Sequence, residues 1–289
     1  MIKFIASEND PPSERLALVT SLPKSTTEEG RSGVDQLYIR VLGQAFHDLH
    51  QDNNQHYSRF QAVVGTVLLV FNPLSIKSLS ELLGYHPSHI CSTIHSLHSL
   101  LLVPETMEDP ILTFHKSFPD FLTNPECCED KQFFVESTVH HAEILLSCLK
   151  IMRERLKKNI CNLDDHAILS EVEDLSARCK DHIGDALGYA CHFWTKHLLR
   201  IPGSDSLVEE VQKAIDQFFI THLPCWIEVL ALTGNLGVGV YAMNDVEQWC
   251  ASVSTGQNVY QAIFLHIFRQ ESCTSGQLIA RDSSWNTLT

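Results

Sequence analysis

Residues 59–84 read RFQAVVGTVLLVFNPLSIKSLSELLG, and this stretch decides the fold of the surrounding chain. Its apolar run predicts a helix over 57–70 that is apolar nearly all round and therefore buried, and Pro73 ends it. Ser75 is placed to cap a short second helix, in which apolar residues recur every three or four positions. Gly84 is placed to end that helix. The stretch therefore predicts two helices joined by a tight turn.

The residues that follow predict a third helix and a β-hairpin. Ser88 can cap the third helix, which extends to residue 101. Residues 100–103 and 111–115 have the composition of two short strands, joined by an acidic segment rich in turn-forming residues. Three helices followed by a two-stranded hairpin are typical of a winged-helix domain, in which the hairpin is the wing.

The remaining chain is predicted to be helical, so the fold class is mainly α: a winged-helix domain with a small two-stranded β-wing, followed by an α-helical scaffold domain. Further helices are expected over 34–49, 119–122, 133–158, 166–178, 183–199, 208–219 and 224–232, with a turn at Asn235, Leu236 and Gly237. The predicted domains are a helical link over 1–54, the winged helix over 55–130, the scaffold over 131–250 and a weakly structured tail over 251–289.

The composition is acidic, with 35 Asp and Glu against 21 Lys and Arg and a formal net charge of −14. Nucleic acids and anionic membranes are bound by basic surfaces, so neither is expected as a partner. No apolar run reaches the length of a membrane span, and no signal peptide is recognised. The ten cysteines include no CxxC pair, which favours reduced thiols and a cytoplasmic protein.

The sequence contains no motif that predicts catalysis. A phosphate-binding GxxxxGK[ST] loop is absent, and the closest glycine cluster, Gly234, Gly237 and Gly239, has no Lys-Ser/Thr after it. The most ligand-like group combines Cys127-Cys128 with His140-His141, but adjacent residues on a helix point in different directions, which disfavours a zinc site. We therefore expect a non-enzyme with no catalytic residues, no metal ligands and no cofactor of its own.

The predicted third helix has polar outer positions but no basic ones. These positions hold His89, Cys91, Ser92, Thr93, His95, Ser96, His98 and Ser99, and the wing holds Glu105, Glu108 and Asp109. Contacts to DNA phosphates need cations, so a structural or protein-contact role is favoured. A winged-helix DNA-binding regulator is the alternative function. A gel shift at low salt distinguishes the two, because binding to DNA fades as salt rises.

Five basic residues lie near the end of the helix predicted over 133–158: Lys150, Arg153, Arg155, Lys157 and Lys158. Cations near a helix C-terminus compensate the helix dipole, and a solvated basic face with this effect is the favoured interpretation. Contact with an acidic partner is the alternative.

Several segments together resemble one protein family. Residues 59–84, SLHSLLLVP at 96–104 and DPILTFHKSFPDFLTNPECC at 109–128 resemble the winged-helix region of NACHT-type, NLR-like signal-transducing NTPases (STAND NTPases) of mushroom-forming fungi. Upstream, PPSERLALV and VDQLYIRVLGQAF resemble the helical link that leaves the NTPase core. Downstream, LGYACHFWTKHL and HLPCWIEVLALTG resemble the helical region before the C-terminal repeats. The resemblance covers about residues 8–250.

The resemblance implies that the winged helix and helical scaffold close with a nucleotide-binding domain around ADP, and that exchange for ATP opens them. It implies that His115, in TFHKSF, senses the nucleotide's phosphates if an NTPase core is present, and a His donor near a phosphate is chemically reasonable. A local packing or capping role for His115 at its strand–helix junction stays equally open.

The NTPase core and the repeats of that family are not found in the sequence. We therefore expect a fragment that acts as a non-enzymatic regulatory or scaffold module. Its uncovered apolar faces would bind a protein partner or a separate NACHT-type nucleotide-binding domain.

Overall fold

The computed structural model describes residues 33–46, 54–164, 167–203 and 207–253, and it divides the chain into two compact units, 1–140 and 141–289. Within the described residues the chain is mainly helical, with eleven α-helices and one two-stranded antiparallel sheet. Most of the predicted helical link, including all of 1–32, and the predicted tail beyond 253 lie outside the described residues. We refer to the two units as the amino-terminal and carboxyl-terminal units.

The amino-terminal unit contains five helices and the hairpin, and a sixth helix begins in it. Their bounds are α1 (Gly33–Ala45), α2 (Asn54–Leu69), α3 (Ile76–Leu83), α4 (Pro87–Ser96), β1 (Leu101–Leu102), β2 (Leu112–Thr113), α5 (Ser117–Thr123) and α6 (Ser137–Arg155).

The carboxyl-terminal unit contains five further helices: α7 (Leu175–His182), α8 (Gly184–Leu198), α9 (Val208–Thr221), α10 (Leu223–Leu232) and α11 (Leu236–Ser252). A short 3-10 turn at Leu169–Glu171 precedes α7. No single helix in the described part of the chain is long and apolar enough to cross a membrane. The successive helices α9 and α10 meet that criterion only as a pair bent by 74°.

Both ends of α3 follow the sequence prediction. The Ser75 side chain accepts the backbone N–H of Ser78 at 3.1 Å, which satisfies one of the unpaired donors at the start of the helix. At the other end Gly84 adopts a left-handed backbone with φ 72°, and its N–H is donated to the carbonyl of Ser80.

The start and the end of α4 differ from the prediction. The helix begins at Pro87, and its cap is His86, whose Nδ1 accepts the backbone N–H of Ser88 at 3.3 Å. Proline suits the first helical position because it has no N–H to satisfy, so Ser88 is not the cap. The helix stops at Ser96 rather than residue 101, since the chain turns there to enter β1.

The two caps make a paired prediction about stability. Ser75→Ala should lower the free energy of unfolding by about 1 kcal/mol, because the helix loses its capping acceptor. Ser88→Ala should change it by less than about 0.5 kcal/mol, because the backbone N–H that His86 accepts is retained. Urea unfolding of both variants tests this, and equal losses would restore Ser88 as a cap.

The hairpin is shorter than predicted but is tied to α3. Its antiparallel register pairs Leu101 with Thr113 and Leu102 with Leu112. The backbone N–H of Ile111 is donated to the Leu74 carbonyl at 3.0 Å, beside an isolated bridge between residues 75 and 110. The chain just before α3 therefore acts as a third short partner for the hairpin.

Aromatic residues fill the core of the amino-terminal unit. Phe133 contacts Phe46, Tyr57 and Phe60 with ring centroids 5.2–5.7 Å apart. Because Phe133 packs in this cluster, residues 133–136 do not join the helix predicted over 133–158, and α6 begins at Ser137.

The helix α2 is not buried all round, contrary to the prediction from its apolar run. Val63 and Val64 are buried, but residues 67–70 are only half-buried.

The carboxyl-terminal unit is built around α8, which packs against α7, α10 and α11. Trp194 of α8 is fully buried and meets the rings of Phe218 and Trp226 in edge-on contacts at 5.3 and 5.9 Å. The indole N–H of Trp226 is donated to the carbonyl of Cys191 at 2.9 Å. A buried indole N–H usually finds such a partner, and this bond holds α10 against α8.

Two parts of this unit contradict the sequence prediction. The helix predicted over 166–178 is not continuous in its described residues, 167–178. Ile168, Val172 and Leu175, expected to face inward, are only half-buried. The turn predicted at residues 235–237 is instead the start of α11. The chain reverses one position earlier, at Gly234, where φ is 70°.

Tertiary contacts explain why α11 forms despite its glycines. Thr195 and Lys196 of α8 both donate to the Asp245 carboxylate of α11 at 2.9 Å. At the end of α11, Gly203 lies so close that a Cβ there would be 2.5 Å from the Ser252 carbonyl oxygen. Packing of this kind overrides a weak intrinsic helix propensity.

Candidate functional site

One face of the hairpin exposes a group of apolar side chains. Leu102 and Leu112 are directly opposite each other and therefore point to the same side, and they are 38% and 39% exposed. Phe114 lies two residues beyond Leu112 on that side and is 43% exposed. We call Leu102, Leu112 and Phe114 the hairpin face.

The alternation that creates the hairpin face also anchors it. Leu101 and Ile111 point to the other side and are buried at 0% and 3% exposure. The hairpin cannot rotate to hide its apolar face without withdrawing these two residues from the core. The exposure of the hairpin face is therefore fixed by the register of the strands.

The tip of the hairpin is acidic. Glu105, Glu108 and Asp109 are exposed, and the Asp109 carboxylate accepts both the backbone N–H and the hydroxyl of Thr106, which shapes the turn. Met107 is also exposed at the tip. An apolar face with an acidic edge suits contact with a protein better than contact with the phosphate backbone of DNA.

The exposed side of α4 carries serine and histidine rather than basic residues. Ser88, His89, Ser92 and His95 are exposed. Thr93 and Ser99, expected at outer positions, are buried, and Thr93 donates its hydroxyl to the His89 carbonyl in the preceding turn. Two of the predicted outer positions therefore belong to the core.

His115 lies directly after the hairpin face and is exposed. Its Nδ1 accepts the backbone N–H of Ser117 at 3.1 Å, and the Ser117 hydroxyl lies 2.7 Å from both that nitrogen and the hydroxyl of Tyr38. The local capping role left open by the sequence is therefore present. Because Nδ1 accepts, the neutral ring carries its proton on Nε2, which leaves that atom as a donor.

The five basic residues near the end of α6 do not form a single surface. Arg155 donates to the Ile183 carbonyl at 2.9 Å and so braces the start of α8. Lys150 and Arg153 are exposed beside a groove of 230 Å³ between α6 and α9. The other groove residues are Leu146, Leu149, Glu210, Ala214, Gln217, Phe218 and His222. Mixed charges line it, so its chemistry does not single out one ligand.

A buried pair of histidines is the most unusual polar group in the carboxyl-terminal unit. Nδ1 of His141 lies 2.8 Å from Nδ1 of His197, and Nε2 of His197 lies 2.7 Å from the Tyr189 hydroxyl. Burial, followed by the nearby His141 and Arg200, lowers the pKa of His197 to about 3. His197 is fully buried, and its lowered pKa keeps the ring neutral at physiological pH, so the pair links α6 to α8 through a buried hydrogen bond.

Within the described residues, the cysteines and histidines do not assemble a metal site. In the described ranges, no group of three His, Cys, Asp or Glu side chains is arranged to hold an ion. Burial raises the pKa of the Cys148 and Cys191 thiols well above the ordinary range. These two thiols are therefore poor nucleophiles at neutral pH and act as small core residues.

The hairpin face was not identified as a functional candidate from the sequence. Its signal was the alternation within ILTFH at 111–115, where positions 112 and 114 are apolar although the inward positions are 111 and 113. Only the observed register shows which of the two apolar sets remains outside. Comparison with protein-family models, with curated proteins and with solved structures gives no match for this chain.

Proposed function

We propose that this chain is a non-enzymatic regulatory or scaffold module of the NLR-like STAND NTPase type. In this proposal the helices and hairpin of the amino-terminal unit act as a winged helix. Its hairpin face contacts a NACHT-type nucleotide-binding domain, on the same chain or on another. The exposure of Leu102, Leu112 and Phe114 is the single observation that carries the proposal.

Exposing apolar side chains to water is unfavourable, so an exposed apolar patch gains free energy when a partner covers it. A contiguous apolar patch rimmed by polar residues is a common property of protein-binding surfaces. Here the strand register prevents the patch from turning inward. The acidic tip and the absence of Lys and Arg from α4 disfavour DNA. A protein partner is the occupant that these features fit.

The choice of a nucleotide-binding domain rests on the family resemblance and on His115. Its Nδ1 is engaged by Ser117, so Nε2–H is left as a donor immediately beside Phe114. A donor at the edge of an apolar contact can reach a phosphate oxygen of a nucleotide held by the partner. This geometry supports the sensor role proposed for His115.

The experiment mixes the purified chain with an ADP-loaded NACHT-type nucleotide-binding domain of a fungal NLR-like protein and measures the dissociation constant by calorimetry. Leu112→Ser should weaken binding by about tenfold or more, since it removes apolar area from the contact. Ile39→Ser on α1 is the matched control, because Ile39 is aliphatic and 40% exposed but lies outside the hairpin. Equal effects of the two substitutions would contradict the proposal.

A second substitution tests the role of His115. His115→Asn retains a side-chain oxygen that can accept the Ser117 N–H but removes the Nε2 donor. We expect the variant to bind the empty domain normally and to lose the preference for the ADP-loaded domain. A shift of DNA in a low-salt gel that fades with salt would instead support the alternative DNA-binding regulator.

A further inference from the structure

Two cysteine sulfurs are in contact within the carboxyl-terminal unit. The Sγ atoms of Cys161 and Cys179 are 3.9 Å apart. Cys161 lies in the turn after α6 and is buried, whereas Cys179 lies on α7 and is half-buried. The two residues are 18 positions apart in sequence, so helix periodicity does not account for their contact.

The turn that carries Cys161 is fixed by hydrogen bonds, whereas α7, which carries Cys179, is weakly packed. Two successive backbone N–H groups in the turn, at Asn159 and Ile160, are donated to the Glu228 carboxylate at 3.0 Å. By contrast α7 has no buried residue. A disulfide requires the sulfurs to approach to about 2.05 Å, and the weakly packed α7 can supply that movement.

We propose that Cys161 and Cys179 form a thiol-oxidation site at which a hydroperoxide converts the pair into an intramolecular disulfide that fastens α7 to the turn after α6.

The chemistry proceeds in two balanced steps. The thiolate of Cys179 attacks one oxygen of hydrogen peroxide, the O–O bond breaks, and Cys179 becomes a sulfenic acid while hydroxide leaves and takes up a proton as water. The sulfur of Cys161 then attacks the sulfenic sulfur. The S–O bond breaks, and the proton of the Cys161 thiol leaves with the hydroxyl group as a second water. Two thiols are oxidised by two electrons in total, and one peroxide is reduced.

Accessibility assigns the two roles. Cys179 is the more exposed thiol, and its sulfur touches only one other polar atom in the described contacts, the Leu232 carbonyl at 3.7 Å. Cys161 is enclosed, and burial raises its thiol pKa, with the neighbouring Cys179 adding to the effect. The more accessible thiol, Cys179, therefore meets the peroxide first, and the buried thiol resolves the sulfenic acid.

The test treats the full chain with hydrogen peroxide and maps its disulfides by mass spectrometry of peptides generated without reduction. We expect a link between the peptides that contain Cys161 and Cys179, and we expect dithiothreitol to remove it. Cys225→Ser serves as the control, because Cys225 is also half-buried in this unit and should not affect the link. Crosslinks only between other cysteines, or only between chains, would overturn the proposal.

Single substitutions test the assigned roles. In Cys161→Ser, and in Cys161→Ala as a second variant, a sulfenic acid should accumulate at Cys179 and be trapped by a dimedone-type reagent. In Cys179→Ser, Cys161 should remain reduced at the same peroxide concentration. Trapping at Cys161 rather than Cys179 would overturn the assignment.

Oxidation should also change stability. Closing a loop of this length restricts the unfolded chain, so the thermal midpoint should rise by about 5 °C on oxidation and return on reduction. Cys179→Ser should show no such rise under the same treatment. An oxidised chain with the mapped link but an unchanged or lower midpoint would contradict the fastening of α7.

Discussion

Lowering the pH from 7 to 4.5 is expected to destabilise the carboxyl-terminal unit by about 2–3 kcal/mol through His197 alone. His197 is enclosed by the Tyr189 hydroxyl on one side and by the His141 ring on the other. The folded environment favours the neutral imidazole because burial and the nearby Arg200 disfavour the charge.

Stability falls as the pH falls wherever the unfolded state binds more protons than the folded state. In the unfolded chain His197 titrates near its ordinary pKa of 6.5, whereas in the folded chain its pKa is lowered to about 3. Well above pH 6.5 His197 is unprotonated in both states, so this residue contributes no pH dependence to the free energy of unfolding there. Between 6.5 and 3 the unfolded state binds the additional proton, and stability falls as the pH falls.

Two variants separate this effect from the titration of carboxylates. His197→Gln removes the titrating ring, so its loss of stability between pH 7 and 4.5 should be smaller than that of the unmodified protein by about 2–3 kcal/mol. His182→Gln, at an exposed position on α7, should leave the pH dependence unchanged. Urea unfolding at both pH values measures the free energy of unfolding. The same loss between pH 7 and 4.5 in all three proteins would disprove the assignment to His197.

The sequence predicted the features that depend on local chemistry. The capping serine before α3 and the glycine after it act through residues three and four positions away, and both predictions are confirmed. Helices predicted over 183–199, 208–219 and 224–232 are present with shifts of at most two residues at their ends. In each of these segments the apolar spacing and the stop signals agree, so local and tertiary preferences select the same structure.

The incorrect predictions arise where local signals and tertiary contacts disagree. The segment predicted as a helix over 166–178 has helical spacing, but its described residues, 167–178, gain little burial. The regular α-helix there begins only at Leu175. In α11 the glycines suggested a turn, yet Asp245 and the close approach at Gly203 hold the helix in place. Neither contact leaves a signal in the local sequence, because the partners are about 50 residues away.

The proposed sites depend on the same long-range information. The hairpin face is defined by a register that no single strand encodes, and the buried histidines are 56 positions apart. The contact between the two cysteine sulfurs likewise depends on a turn held by a glutamate almost seventy residues downstream. Sequence reasoning supplies the chemical groups, whereas the fold decides which of them meet.

Glu228 is expected to make the largest contribution of any single polar side chain to this turn. Its two carboxylate oxygens each accept one backbone N–H at 3.0 Å, from Asn159 and from Ile160. Asn159 has a left-handed backbone with φ 51°, and its side chain bonds the backbone of Leu163 in both directions. Two successive donors therefore converge on one acceptor group at the end of α6.

Replacing Glu228 should lower the free energy of unfolding even when the new side chain has the same shape. Glu228→Ala should lower the free energy of unfolding by about 2–4 kcal/mol, because two part-buried N–H groups lose a charged acceptor. Glu228→Gln should cost nearly as much, since its amide NH₂ would face one of the same donors. Glu209→Gln on α9 is the control: its ion pair with Lys213 is exposed and should contribute little.

Hydrogen exchange gives the residue-level measurement. In the unmodified protein the amides of Asn159 and Ile160 should be protected, and in Glu228→Gln both should exchange faster while the amides in the middle of α8 change little. Protection that persists at both positions would show that the turn is held by its own asparagine bonds rather than by the carboxylate. Cys161 follows Ile160 directly, so loosening the turn should widen the range of distances between the sulfurs of Cys161 and Cys179. The stability of this turn is therefore expected to affect the rate of disulfide formation.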